Sequence, residues 1–171
     1  MVNGKKVNIE AENQIIILDR LWEKGDMVSL KLRMNIKFSR WHENTLGIER
    51  GPLVYALKIQ EEWREITKKG YNDTYWEVYP KSAWNYLIPS RIKDSDMKIE
   101  VKNNISDMPW NLENAPVSLK LNALLLPDWK IHEGSASTLN LGMRYNTGPS
   151  AEITLIPYGC TTLRISQFPS R

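Results

Sequence analysis

The chain has 171 residues, 23 Lys and Arg against 20 Asp and Glu for a formal net charge of +3, and one cysteine. That length suffices for a domain that buries a core without disulfides or metals, and the interspersed signs of charge speak against a nucleic-acid footprint or a polybasic membrane anchor. No apolar run approaches the roughly 20 residues that span a bilayer, and Met1-Val2-Asn3-Gly4-Lys5-Lys6 lacks the apolar stretch of a signal peptide, which leaves cytoplasmic and periplasmic or secreted locations both open.

In chain order, Gln14-Ile15-Ile16-Ile17-Leu18 is rich in β-branched residues and predicts a strand. Glu23-Lys24-Gly25-Asp26 then suits a tight reversal. From Val28 to Phe38, Val28, Leu30, Leu32, Met34, Ile36 and Phe38 alternate with Ser29, Lys31, Arg33, Asn35 and Lys37, which predicts a long strand, hairpin-paired with the first, with one buried face. Gly51-Pro52 breaks the chain, and Leu53, Tyr55, Leu57 and Ile59 share one side of the next strand. Glu61 to Lys69, with acid first and base last, reads as a short helix. The stretch from Gly70 to Ser90 is aromatic and irregular, with Tyr71, Tyr75, Trp76, Tyr79, Trp84 and Tyr86, as in an insertion that docks a neighbour or packs over one end of a sandwich. Further strands are expected at Lys98 to Lys102, Val117 to Leu126, Ser150 to Ile156 and Thr161 to Phe168. The sum is an all-β class: an antiparallel β-sandwich or jelly roll over 1–171, with room for two small sandwich units and with 60–115 as an inserted or second sub-unit.

The residues of catalysis are sparse. The only histidines, His42 and His132, have no flanking Ser or Cys motif, and there is no G-x-S-x-G. Cys160 reads as a structural thiol, and one Cys with two distant His cannot close a zinc shell, so neither a catalytic residue nor a metal site is assigned within the chain. No glycine-rich phosphate loop is present. A carboxylate pair such as Asp19 with Asp26 or Glu49 leaves a small stand-alone hydrolase as an alternative, against the plainer reading of solvated acids beside turns. The residues best suited to a ligand are Trp76, Trp84, Asn85, Tyr86 and Trp110. Sugar rings offer apolar C–H faces to indole and phenol rings while Asn takes hydroxyls, which would make this a carbohydrate-binding module, for instance for arabinose-containing glycans. The same rings equally suit contact with a neighbouring domain, since Trp and Tyr dominate such interfaces.

Several strings carry a family resemblance in order along the chain: Arg20-Leu21-Trp22-Glu23-Lys24-Gly25-Asp26, Ile48-Glu49-Arg50-Gly51-Pro52-Leu53-Val54-Tyr55-Ala56, Trp76-Glu77-Val78-Tyr79-Pro80 with Trp84-Asn85-Tyr86, Asn114-Ala115-Pro116-Val117, and Leu155 to Thr161 running into Leu163 to Pro169. Together they resemble the region after the catalytic barrel in glycoside hydrolase family 127, the β-L-arabinofuranosidase-like proteins. The resemblance implies an upstream (α/α) barrel of the same polypeptide, which holds a zinc-bound cysteine nucleophile, and a non-catalytic accessory region here that packs against it. It also implies that Cys160 matches none of the zinc ligands, and that the isolated region self-associates through its docking face. One departure is visible: relatives carry a proline-rich stretch between the positions of Trp129 and Gly142, where this chain reads Lys130-Ile131-His132-Glu133-Gly134-Ser135-Ala136-Ser137-Thr138.

Overall fold

A computed structural model describes residues 1–9, 11–12, 15–67, 74–139 and 144–171. Gln14, Lys68, Lys69, Gly70, Tyr71 and Gly142, which figure in the expectations above, lie outside them. Fourteen strands are described: β1 Ala11–Glu12, β2 Ile15–Ile16, β3 Ile36–Arg40, β4 Leu46–Arg50, β5 Leu53–Leu57, β6 Glu61–Thr67, β7 Thr74–Pro80, β8 Tyr86–Leu87, β9 Lys98–Val101, β10 Val117–Leu125, β11 Ile131–His132, β12 Ser135–Ala136, β13 Ser150–Pro157 and β14 Gln167–Phe168. The only helical elements among the described residues are single 3-10 turns, so the class is all-β. The chain divides into two compact units, Met1–Arg33 and Met34–Arg171.

In the first unit β1 pairs with β2, and Met1 to Asn3 runs antiparallel to Met27 to Ser29 through backbone bonds of 2.9 Å each from Asn3 to Met27 and from Ser29 to Met1. Asp26 ties the turn: it accepts the Asn3 side-chain amide at 2.6 Å and the Glu23 backbone N–H at 3.0 Å, and it pairs with Arg20 at 3.1 Å. The reversal expected at Glu23-Lys24-Gly25-Asp26 is present, with Gly25 at φ +97° and Asp26 N–H donating back to Glu23 O. The long strand is not. Of Val28 to Phe38, Val28 makes a single bridge to Val2, only the last three residues are in a strand, as part of β3, and Leu30 and Leu32 are 60% and 65% exposed. Alternation at period two makes a segment able to pair, but a ladder needs a partner strand, and residues 30–33 have none among the described residues.

The second unit is sandwich-like and antiparallel. On one side β4 is flanked by β3 along its length, from Ile36–Arg50 to Arg40–Leu46, and by β14 at Leu46 and Gly47. On the other, β10 pairs with β13 from Leu119–Leu155 to Leu124–Ser150 and with β9 from Val117–Val101 to Lys120–Lys98. Two segments pass from one sheet to the other and make its corners. In β5, Leu53 and Val54 pair with β4, while Tyr55 to Leu57 pair with β13. In the second corner β8 pairs with β10, and the residues after it turn to the C-terminal segment, with Ile88 N–H to Pro169 O at 3.0 Å, Ser90 N–H to Arg171 O at 2.8 Å and a parallel Ile88–Ser170 bridge.

The inward faces of both sheets meet in one core: Leu46 and Ile48 of β4, Tyr55 and Leu57 of β5, Leu119 and Leu121 of β10, Ile153 and Leu155 of β13, and Phe168 of β14. The expected face of Leu53, Tyr55, Leu57 and Ile59 is the buried one, and Val117, Leu119, Leu121 and Ala123 are buried in turn along β10. The expected helix at Glu61 to Lys69 is instead β6, in a hairpin with β7 from Glu61–Pro80 to Thr67–Thr74. Two acids before two bases are compatible with a helix dipole, but Tyr75, Trp76, Val78 and Tyr79 supply a β-prone partner strand, and pairing with it overrides that weak local preference. Of the strand expected from Thr161 to Phe168, only Gln167 and Phe168 pair.

Candidate functional site

The β6–β7 hairpin has two distinct faces, because directly opposite residues share a side. One carries Glu61, Trp63 and Glu65 with Pro80, Val78 and Trp76; the other carries Glu62, Arg64 and Ile66 with Tyr79, Glu77 and Tyr75. On the first face Trp63 and Trp76 meet edge to face, centroids 6.4 Å apart at 66°, and both rings are about half exposed. On the second face Arg64 forks onto Glu62 at 3.0 and 3.2 Å and lies 4.4 Å over the Tyr79 ring, whose hydroxyl donates to Glu77 at 2.5 Å. The Arg64 fork lowers the pKa of Glu62, and the Glu77 carboxylate raises that of Tyr79.

Glu61 anchors the start of this hairpin to residues 161–163. Its Oε1 accepts the Thr162 N–H at 2.8 Å, the Leu163 N–H at 3.2 Å and the Thr161 hydroxyl at 3.2 Å, while Oε2 accepts the Trp63 indole N–H at 3.1 Å. Arg164 follows, its Nε donating to Thr161 O at 3.0 Å and its guanidinium 4.8 Å over the Tyr158 ring.

Two clefts open beside residues 162–164. The larger, about 590 Å³, is lined by Tyr79, Pro80 and Trp84, by Ile131, Ser135 and Ala136 of the β11–β12 hairpin, and by Thr162 to Ile165. The smaller, about 410 Å³, lies between Trp63 and Trp110, with Glu61, Asn111, Glu113, Cys160 and Arg164. Both volumes lie within the range of small-ligand sites.

The expected ligand residues separate. Trp110 is 55% exposed and lines the smaller cleft, and Trp76 is exposed on the hairpin behind Trp63. Trp84 lines the larger cleft but is packed edge to face on Trp129, centroids 5.0 Å apart, beside the cluster of Leu87, Leu126 and Leu139. Asn85 spends its side-chain amide on Leu126 O at 2.9 Å and Trp129 O at 3.2 Å, and Tyr86 packs against the core from β8. Trp63, Glu61 and Arg164 were missed. The signal for Trp63 was its period-two spacing with Glu61 and Glu65 opposite the β-prone Trp76 and Val78, which the helical reading set aside.

The chemistry open to these groups is narrow. Cys160 is buried with Ala115 and Ile156, and burial pushes its thiol pKa up, away from the thiolate needed for zinc ligation or attack. Among the described residues no three His, Cys, Asp or Glu side chains are grouped so as to hold a metal. Asp26, of the alternative carboxylate pair, has its pKa lowered by the Asn3 amide, the Glu23 N–H and Arg20, which suits an ion that stays charged and not a general acid.

No family model matches the chain, and no curated protein does. Among solved structures, one named as a glycoside hydrolase is similar over 99% of this chain, with a TM-score of 0.56 and 24% identity. The two share a fold. This chain spans 25% of the length of that structure.

Proposed function

We propose that this chain is the accessory β-sandwich region of a larger glycoside hydrolase of the β-L-arabinofuranosidase-like kind, family 127, which supports a catalytic barrel elsewhere in the polypeptide and cleaves no bond itself. The observation that carries this reading is the fold likeness, which takes in nearly the whole of this chain and only a quarter of a glycoside hydrolase. The state of one carboxylate adds to it: Glu61 is saturated by the donors it anchors, so this acid of the smaller cleft serves structure. In this reading the zinc and its cysteine nucleophile belong to the barrel.

A docked partner also accounts for the first unit, whose apolar side chains are unusually bare: Leu21 is 93% exposed, Ile17 68% and Leu32 65%. Burying them against a partner would stabilise a complex by about 25 cal/mol per Å². The purified chain is therefore expected to release no product from para-nitrophenyl β-L-arabinofuranoside and to self-associate with rising concentration in sedimentation velocity. The double substitution Leu30→Ser and Leu32→Ser is expected to restore a monomer. Turnover by the purified chain would refute the accessory role.

A further inference from the structure

We propose that the cleft between Trp63 and Trp110, lined wholly by residues of the second unit, is a binding site for a neutral oligosaccharide, independent of the accessory role. The aromatic walls suit the ligand class. Trp63 and Trp110 are 51% and 55% exposed, so each ring leaves a face available, and a sugar's C–H face is the ligand surface that pairs with indole while keeping its hydroxyls outward.

Trp63 is also held in place before any ligand arrives. Its indole N–H is fixed on Glu61 Oε2 at 3.1 Å, its edge meets Trp76, and Glu61 is itself locked by the amides of Thr162 and Leu163. A ring oriented by its own protein loses little freedom on binding, which favours affinity from a small contact. Trp110 precedes a tight turn in which Asn111 accepts the N–H groups of Glu113 at 3.0 Å and Asn114 at 2.8 Å, so that wall too is set by backbone bonds.

Polar groups at the cleft complete the match. Arg164 uses Nε on Thr161 O and leaves its terminal amino groups without a hydrogen bond among the described residues, as donors for hydroxyls. Glu113 is largely exposed, its carboxylate 4.0 Å from the Lys58 ammonium, and serves as an acceptor. The carboxylates of Glu61 and Glu113 at the cleft are balanced by Arg164 and by Lys58 beside Glu113, which favours neither an anionic nor a cationic ligand. Glu61 is fully engaged by residues 161–163 and Glu113 is the one other carboxylate in the lining, so the cleft offers no pair of acids for hydrolysis and the site is one for binding.

The test is calorimetric titration of the full chain with short arabino-, xylo- and cello-oligosaccharides, followed by Trp110→Ala, Trp63→Ala and, as an exposed indole outside the lining of the cleft, Trp22→Ala. We expect saturable binding of at least one of the three sugars. Trp110→Ala should weaken it roughly tenfold, the usual scale for a central Trp anchor, and Trp22→Ala should leave it unchanged. Because Trp63→Ala removes a hairpin contact, its circular dichroism is recorded beside the titration, and the judgement rests on the loop variant Trp110→Ala. Flat titrations for all three sugars, or wild-type affinity in Trp110→Ala, would overturn the proposal; loss of self-association in the Leu30 and Leu32 variant would leave it untouched.

Discussion

Two polar side chains, the half-buried Glu61 and the buried Tyr55, carry most of the consequence at the level of single residues. Glu61 is the first residue of β6, yet its carboxylate closes the turn formed by residues 161–163, a hundred positions away in the chain. Removing it strands the part-buried Leu163 N–H and leaves the exposed Thr162 N–H to water, which costs about 1 kcal/mol. Glu61→Ala should lower the urea midpoint accordingly, and Glu61→Gln, which keeps an acceptor oxygen, should lose less. Tyr55 is the reverse case. Its hydroxyl is buried at full depth without a hydrogen-bond partner, and Arg50 Nε is equally unpartnered.

Burial lifts the Tyr55 pKa above its ordinary 10.0, against a weaker opposing pull from Arg50. A phenol whose folded pKa is raised contributes stability that is complete below the unfolded value and is lost as pH rises through it towards the folded value. Unfolding free energy should therefore fall above pH 10, and Tyr55→Phe should abolish that part of the fall. At neutral pH the same substitution should change stability by less than about 1 kcal/mol, since it removes a polar atom that gains nothing in the core. Urea titrations across pH measure both effects.

Among the elements, the turn joining β4 to β5 shows how narrowly a reversal is specified. Gly51 sits at φ +57°, where an L side chain is strained, and a Cβ there would collide with the Met34 thioether. Gly51→Ala is expected to cost about 1–2 kcal/mol from the backbone alone, read as a drop in chemical stability with the sheet retained. The hairpin of β6 and β7 shows the opposite situation. Glu61 to Thr67 has no strong preference of its own, and its strand state comes from its aromatic partner, Thr74 to Pro80. A helix reading based on end charges weighs a few tenths of a kcal/mol against a whole ladder of backbone bonds and cross-strand contacts.

For the whole molecule, the decisive feature is the C-terminal segment. It runs antiparallel to β4 and parallel to residues 88–90, so it joins a corner strand to the first sheet and buries Phe168 in the core. Deleting residues 167–171 should expose the edge of β4 and remove that ring, with loss of a cooperative transition in circular dichroism melting and a rise in aggregation. Deletion of Met1 to Ser29 touches none of these pairings and is expected to leave the transition of the second unit intact.

The amino-acid order by itself determined the all-β class and most of the core faces. In β10 the alternation is strict, and the segment is sided whatever its neighbours are, because successive Cβ atoms point to opposite faces. Breaks such as Gly51-Pro52 are likewise local, since they depend on φ and on a missing N–H. Only the tertiary structure decided which segments find partners. Leu30 and Leu32 alternate as regularly as Leu119 and Leu121 but stay in water, while the unpromising Glu61 to Thr67 becomes a strand. The candidate site follows the same division. Its residue types were visible in the aromatic content, but whether a Trp packs inward like Trp84 or faces a cleft like Trp110 depends on contacts with residues far along the chain, such as Trp129 and Arg164, which no local pattern encodes.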